Sequence, residues 1–178
     1  MTVELHLGDC LDIMKTIPDK SIDAVITDPP YGISIGGNGR IGGNGRITKV
    51  KQYMPVTWDS EGMTADQFSQ IKRVSKNQVI FGFEHLADVL GKPGSAISWD
   101  KKCKNGWNDN FSDCELAWTS FNRPSKMFRH LWMGALRASE TESDDRVHPT
   151  QKPIALMKWI IENYTKPTDT ILDPFMGS

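Results

Sequence analysis

The run Ile22-Asp23-Ala24-Val25-Ile26-Thr27-Asp28-Pro29-Pro30-Tyr31-Gly32 decides how the rest of the chain is read. Its first six residues are mostly apolar and β-branched, the composition of a buried strand. Neither proline can extend a central strand, so the chain must break there into a stiff turn. Asp28 therefore stands at the C-terminal end of a strand, where open α/β sheets bind ligands. Asp28 offers a hydrogen-bond acceptor and Tyr31 a ring face, both from one rigid corner. The pair suits a flat ligand with an exocyclic amine, such as a nucleobase. The same residues would also serve as an ordinary strand-ending turn.

Outward from this corner, strands and helices alternate. Val3-Glu4-Leu5-His6-Leu7 alternates as a short strand, and Leu11, Ile13, Met14 and Ile17 follow at helical spacing. Asp9 lies at the junction, where an acid commonly caps a helix. Thr64 to Ser75 reads as an amphipathic helix capped by Thr64, with Phe68, Ile71 and Val74 as its apolar stripe. Strands are expected over Gln78–Phe83, Ala96–Trp99, Glu115–Thr119 and Thr170–Leu172, with a short helix from Glu84 to Leu90 ended by Gly91. Phe81, Phe83, Trp99 and Trp118 are expected in the core. This alternation predicts an α/β fold with a mostly parallel, doubly wound sheet. At 178 residues the chain reads as one domain, long enough to bury roughly 70% of its unfolded surface.

Net charge is −1, which does not announce a nucleic-acid binder, but the charges are unevenly spread. Gly32 to Trp58 carries Arg40, Arg46, Lys49 and Lys51 and no acid. Phe121 to Ser139 carries Arg123, Lys126, Arg129 and Arg137, with His130, and again no acid. Two basic segments on a neutral body fit phosphate contacts. Solvated loops would show the same charges. The segment 32–59 also holds a tandem repeat, Ile35-Gly36-Gly37-Asn38-Gly39-Arg40 followed by Ile41-Gly42-Gly43-Asn44-Gly45-Arg46. Glycine at that density predicts a mobile loop, and six added residues cost a surface loop little closure entropy. Cys10, Cys103 and Cys114 show neither disulfide nor metal-ligand spacing, which predicts no metal site and a reduced, cytoplasmic setting. No signal peptide or long apolar span suggests a membrane.

The last third repeats the logic of the first. His148-Pro149-Thr150-Gln151-Lys152-Pro153 opens a helix with apolar positions Ile154, Met157, Ile160 and Ile161. Lys152 beside a helix start favours an anion such as a carboxylate. Thr170-Ile171-Leu172 leads into Asp173-Pro174-Phe175-Met176-Gly177-Ser178, a glycine-bearing turn of the kind that lets a backbone approach a ligand.

Three of these motifs together resemble the DNA amino-methyltransferases, which methylate adenine N6 or cytosine N4 with S-adenosylmethionine. Asp28-Pro29-Pro30-Tyr31 is similar to their catalytic motif, His148–Pro153 to their His-Pro-Thr-Glu/Gln-Lys-Pro signature, and Asp173–Gly177 to the start of their cofactor loop. The motif order resembles the circularly permuted branch of the family. The resemblance implies a Rossmann-like methyltransferase fold, a base flipped out of double-stranded DNA onto Tyr31, and an amine held by Asp28 and a carbonyl of Pro29-Pro30. It implies that Asp9 contacts the cofactor's adenine, that Lys152 borders its methionine part, and that Asp28, Asp173, Phe175 and Gly177 line its site. It implies DNA contacts from loop 32–59, through Arg40 and Arg46, and from a recognition segment 121–147, through Arg123, Lys126 and Arg129. Asp before Pro-Pro-Tyr, rather than Ser, points to adenine by family habit. Asp28→Ala is expected to abolish transfer with the fold largely intact.

The cofactor motif stops at Ser178, before its final glycine and the helix and strand that should follow. The expectation is an enzyme cut short at its C-terminus, with the missing strand absent between those ending at Asp173 and beginning at Val3. A second copy, as a homodimer, or another complementing chain is a candidate source of that strand. Two further readings stay open from sequence: a non-catalytic remnant that binds DNA through its basic loops, and a methyltransferase acting on RNA or protein amides.

Overall fold

The computed structural model describes residues 2–34, 40–41, 51–52, 59–103, 112–133, 136–139 and 151–176. In chain order its elements are α1 (Cys10–Thr16), β1 (Ile22–Thr27), β2 (Arg40–Ile41), β3 (Lys51–Gln52), α2 (Ala65–Val74), β4 (Ser75–Phe81) and α3 (Phe83–Leu90). They continue with β5 (Ser95–Asp100), β6 (Cys114–Thr119), β7 (Lys126–Arg129), β8 (Trp132–Met133), β9 (Leu136–Arg137), α4 (Ile154–Tyr164) and β10 (Ile171–Leu172). Six strands form one sheet in the order β10-β1-β4-β6-β5-β7. The pairs β1/β10, β1/β4 and β5/β7 are parallel, while β6 runs antiparallel to β4 and β5. The small pairs β2/β3 and β8/β9 stand apart from it.

Side-chain alternation along the strands splits the core into two layers. Ala24, Ile26, Val79, Phe81, Ile97 and Trp99 face α4, through Leu156 and Ile160. Val25, Ile80 and Trp118 face the other way, onto α1, α2 and α3 through Met14, Phe68, Ile71, Val74, Leu86 and Leu90. Each such fully buried side chain contributes about 1.5–3 kcal/mol. Phe81, Trp99 and Trp118 are buried and Phe83 is partly so, as their positions in the sequence suggest.

The helices begin where their caps put them. Thr64 and Gln67 form a reciprocal capping box at the start of α2. Gly82 opens α3 in the left-handed region, at φ 76°. β4 starts directly at Ser75, three residues earlier than the apolar run implies, because Ser75 both ends α2 and pairs with Ile22.

Two expectations are corrected. Val3–Leu7 is not a strand: it pairs with nothing among the described residues, and Val3, Leu5 and Leu7 are exposed. Alternation makes a strand only where a neighbour completes its hydrogen bonds, and β10, the edge strand on that side, is bonded to β1 alone. Within the segment read as weakly periodic, Lys126–Arg129 adds the edge strand β7 beside β5. Residues 35–39, 42–50, 53–58, 104–111, 134–135 and 140–150 lie outside the described residues, so the mobility expected of loop 32–59 is not addressed. Among the described residues no helix is long and apolar enough to cross a membrane.

Candidate active site

β1 is an interior strand, next to the edge strand β10 and parallel to both neighbours, so its C-terminal end delivers Asp28 to the rim of the sheet beside the end of β10. The turn that follows is clamped from below. Buried Asp59 accepts from the Tyr31 N–H at 2.8 Å and the Gly32 N–H at 3.1 Å. The Pro30 carbonyl accepts from the Met63 N–H at 3.0 Å. Asp59 was not singled out in the sequence; an acid far along the chain carries no local sign that it will fold under this corner.

The Tyr31 ring lies over Gly82. A Cβ on Gly82 would sit 2.2 Å from Tyr31 Cε1, so only glycine leaves the ring its place. His85, one turn into α3, stacks on Tyr31 with centroids 5.3 Å apart and planes 24° from parallel. The Tyr31 hydroxyl donates to Asp28 Oδ1. Burial, reinforced by the nearby charge of Asp28, pushes the phenol far above its ordinary range. Tyr31 is therefore a fixed donor and not a base.

Lys152, immediately before the N-cap Pro153 of α4, reaches back under the corner. Its Nζ lies 2.6 Å from Asp28 Oδ2, 3.2 Å from Glu115 Oε2 and 3.3 Å from the Tyr31 hydroxyl. Burial would push this ammonium down, but Asp28 and Glu115 outweigh it and the pKa is raised. Burial likewise opposes the charge on Glu115, yet Lys152 and Lys101 hold that carboxyl below its ordinary range. Lys101 Nζ donates to Glu115 Oε1 at 2.9 Å. A chain Lys101–Glu115–Lys152–Asp28–Tyr31 thus runs from β5 and β6 to the corner. The sequence pointed to Lys152 as a partner for an external anion; its donors face carboxylates and the phenol of this chain.

At the end of β10, Asp173 Oδ1 accepts from Thr27 Oγ1 at 2.5 Å and from the Phe175 N–H at 3.0 Å. Asp173 is exposed as a residue, but its carboxyl turns inward onto Thr27. Desolvation raises its pKa, the two hydrogen bonds pull partly back, and Asp28 adds to the rise. Asp9 caps α1, accepting from the Leu11 N–H at 2.8 Å and the Asp12 N–H at 3.4 Å. Gly177 and His148–Thr150 lie outside the described residues.

The basic residues divide. Arg123 turns inward: its Nη1 donates to the Asn163 carbonyl at 3.0 Å and its guanidinium lies 3.4 Å over the Tyr164 ring. Lys126 and Arg129 are exposed on β7, Arg129 with Nε 3.6 Å from Asp100. Arg40 opens β2, its side chain outside the description, and Arg46 lies outside the described residues. Among the described residues no group of three or more His, Cys, Asp or Glu could hold a metal ion.

A mixed, mostly parallel sheet covered by helices on both faces, with acids at the C-terminal ends of two adjacent strands, is an α/β methyltransferase fold. Residues 98–178 match the family model described as DNA methylase. The chain is 26% identical over 217 residues to the type II methyltransferase M.HinfI of Haemophilus influenzae, covering 96% of this chain and 58% of that protein. It is 26% identical over 210 residues to the type II methyltransferase M2.MboI of Moraxella bovis, covering 98% of this chain and 75% of the relative. Among solved structures it is similar to a protein of Thermus thermophilus described as a DNA modification methylase. There the TM-score is 0.53 at 17% identity, over 97% of this chain and 79% of the other. The same protein complexed with S-adenosyl-L-methionine gives a TM-score of 0.50 at 15% identity, over 97% of this chain and 80% of the other. Over its C-terminal part the chain is thus similar to DNA methylases, and over nearly all of its length to two type II methyltransferases. It spans 58% of the length of the first of these relatives.

Proposed function

We propose that this chain methylates the exocyclic amine of a base in double-stranded DNA, adenine N6, with S-adenosylmethionine as methyl donor. The observation that carries the reading is the convergence of Asp28 and Asp173 on one rim. They follow two hydrogen-bonded parallel strands, and Asp173 accepts from Thr27, the residue before Asp28.

The residues fit such a donor by their chemistry. Asp173 and Phe175 form a tight turn beside Asp28, and acids beside adjoining strands suit a ligand carrying an amine, hydroxyls and a positive centre. When bound, S-adenosylmethionine supplies an electrophilic methyl group on sulfur. The chain's own part is to hold the amine. A carboxylate oxygen has two lone pairs, so Asp28 can accept an amine hydrogen while still bonded to Tyr31 and Lys152. A carbonyl of the Pro29-Pro30 pair, of which that of Pro30 also accepts from Met63, is the acceptor for the second hydrogen. Two acceptors fix both hydrogens and aim the nitrogen lone pair outward. The Asp59 clamp and the glycine under Tyr31 keep that geometry rigid. Such orientation can be worth about 7–11 kcal/mol of barrier. Lys126 and Arg129, exposed on β7, are available to the DNA backbone.

The test is transfer of label from methyl-labelled S-adenosylmethionine to duplex DNA, with Asp28→Ala as control. Label entering DNA with the wild-type chain and lost in the variant is expected. Equal transfer by both would remove Asp28 from its role, and methylated cytosine in place of adenine would move the target to N4.

A further inference from the structure

The proposed chemistry gives Glu115 nothing to do, yet Glu115 is a partly buried acid two contacts from the reacting centre. It stands on β6, with a side chain 20% exposed. It was legible in the sequence only as part of a strand. One oxygen takes Lys101 at 2.9 Å and the other faces Lys152 at 3.2 Å. The Lys152 ammonium, with its side chain 9% exposed, is shared between Glu115 and Asp28.

We propose that Glu115 is a positioning residue for amine methylation: by sharing the Lys152 ammonium it fixes that cation and keeps Asp28 available as acceptor for the substrate amine. The inference rests on the reading of the site as an amine methyltransferase. A buried cation facing a single carboxylate would be held by it alone, and the Asp28 oxygens would be drawn toward Lys152 and away from an incoming amine. With a second carboxylate in ion contact at 3.2 Å, beside the 2.6 Å hydrogen bond to Asp28, the cation is attracted by both and the Asp28 contact is one of two.

The groups facing this cation come from several elements. Asp28 and Tyr31 belong to the corner after β1, Glu115 to β6, and the Phe81 ring of β4 lies 5.3 Å away. Lys101 stands behind Glu115. Glu84 of α3 lies on the Tyr31 side, where its Oε2 accepts from the Leu116 N–H at 3.3 Å. Glu115 and Lys101 therefore act on Lys152 with opposite signs: one attracts the ammonium, and the other competes for the carboxylate that attracts it.

The experiment follows the Lys152 side-chain carbon resonance through a pH titration of the full chain, assigned by its loss in Lys152→Arg. The wild type is compared with Glu115→Gln, Glu115→Asp and Lys101→Met, and methyl transfer is measured on the same samples. In Glu115→Gln the Lys152 midpoint is expected to fall, the alkaline limb of kcat to move to lower pH, and kcat to drop about tenfold or more. KM for DNA stays within about twofold. Glu115→Asp recovers most of the rate, and Lys101→Met moves the Lys152 midpoint upward. A purely structural Glu115 would move the Lys152 midpoint while leaving kcat and its alkaline limb unchanged. An active wild type with unchanged kcat and midpoint in Glu115→Gln overturns the role of Glu115 alone. A Lys152 midpoint that moves in a wild-type background transferring no methyl group overturns the reaction itself, and with it any part of Glu115 in it.

Discussion

Replacing Lys152 by methionine removes one ammonium and little volume, and the consequence can be worked from the contacts it leaves behind. Asp28 Oδ2 and Glu115 Oε2 lie 2.6 and 3.2 Å from the lost nitrogen, and their side chains are 25% and 20% exposed. Removing one partner from a largely buried ionic cluster costs up to about 3–5 kcal/mol, with Glu115 still held by Lys101 and Asp28 by Tyr31. For a chain of this length that is a fall in Tm of about 6–20 °C. The pH dependence follows from the directions of the shifts. Lys152 is raised, so its contribution is full below its unfolded pKa, about 10.4, and is lost as pH rises through the folded value. Glu115 is lowered, so its contribution is full above about 4.3 and is lost as pH falls through the folded value. The stability gap between wild type and Lys152→Met is therefore widest between these limits. It narrows in acid, where the stranded carboxyls of the variant take up protons. Urea melts at neutral pH and near pH 4 measure it. A variant as stable as wild type at neutral pH, or a gap that does not narrow in acid, would refute the reasoning.

Three more outcomes are expected. Gly82→Ala places a methyl in the Tyr31 ring and a side chain in a left-handed backbone, at a cost of about 2–4 kcal/mol in denaturant melts and with slower methyl transfer; wild-type stability would mean that the ring moves aside freely. Asp59→Ala leaves the Tyr31 and Gly32 N–H groups without their acceptor and costs about 1–3 kcal/mol, whereas Asp59→Asn, which keeps an acceptor oxygen, costs less; equal losses in both melts would remove the clamp. Asp28→Ala lowers kcat by about 10²–10³, in line with the loss of one preorganised site contact. Because Asp28 also accepts from Lys152, a lower Tm should accompany the lost activity, measured on one preparation.

The corner itself was readable because it is local: an apolar run, an acid and two prolines adjoin in sequence, and the strand β1 ends where those prolines end it. The helix over 65–74 was readable for the same reason, from its cap and its stripe. What surrounds the corner was not. Lys152, Glu115 and Asp59 reach Asp28 and Tyr31 through the order of strands in the sheet, and no periodicity encodes that order. Lys152 was noticed through its motif, yet its partner was expected to be external, because an ammonium in a sequence shows no sign of the carboxylates that will face it. Val3–Leu7 misled for the converse reason. Alternation records which side chains could share a face, while a strand also needs a neighbour to bond. β7 was missed because four residues with an exposed edge, Lys126 to Arg129, leave too short a pattern to stand out.

The central claim, that the Asp28 corner holds an exocyclic amine for methyl transfer, is tested most directly by identifying the modified nucleoside. Duplex DNA is incubated with the chain and S-adenosylmethionine, digested, and analysed by mass spectrometry. The account predicts N6-methyl-2′-deoxyadenosine with the wild-type chain and far less of it in the same time with Asp28→Ala. DNA left unmodified by a well-folded wild-type chain would contradict it.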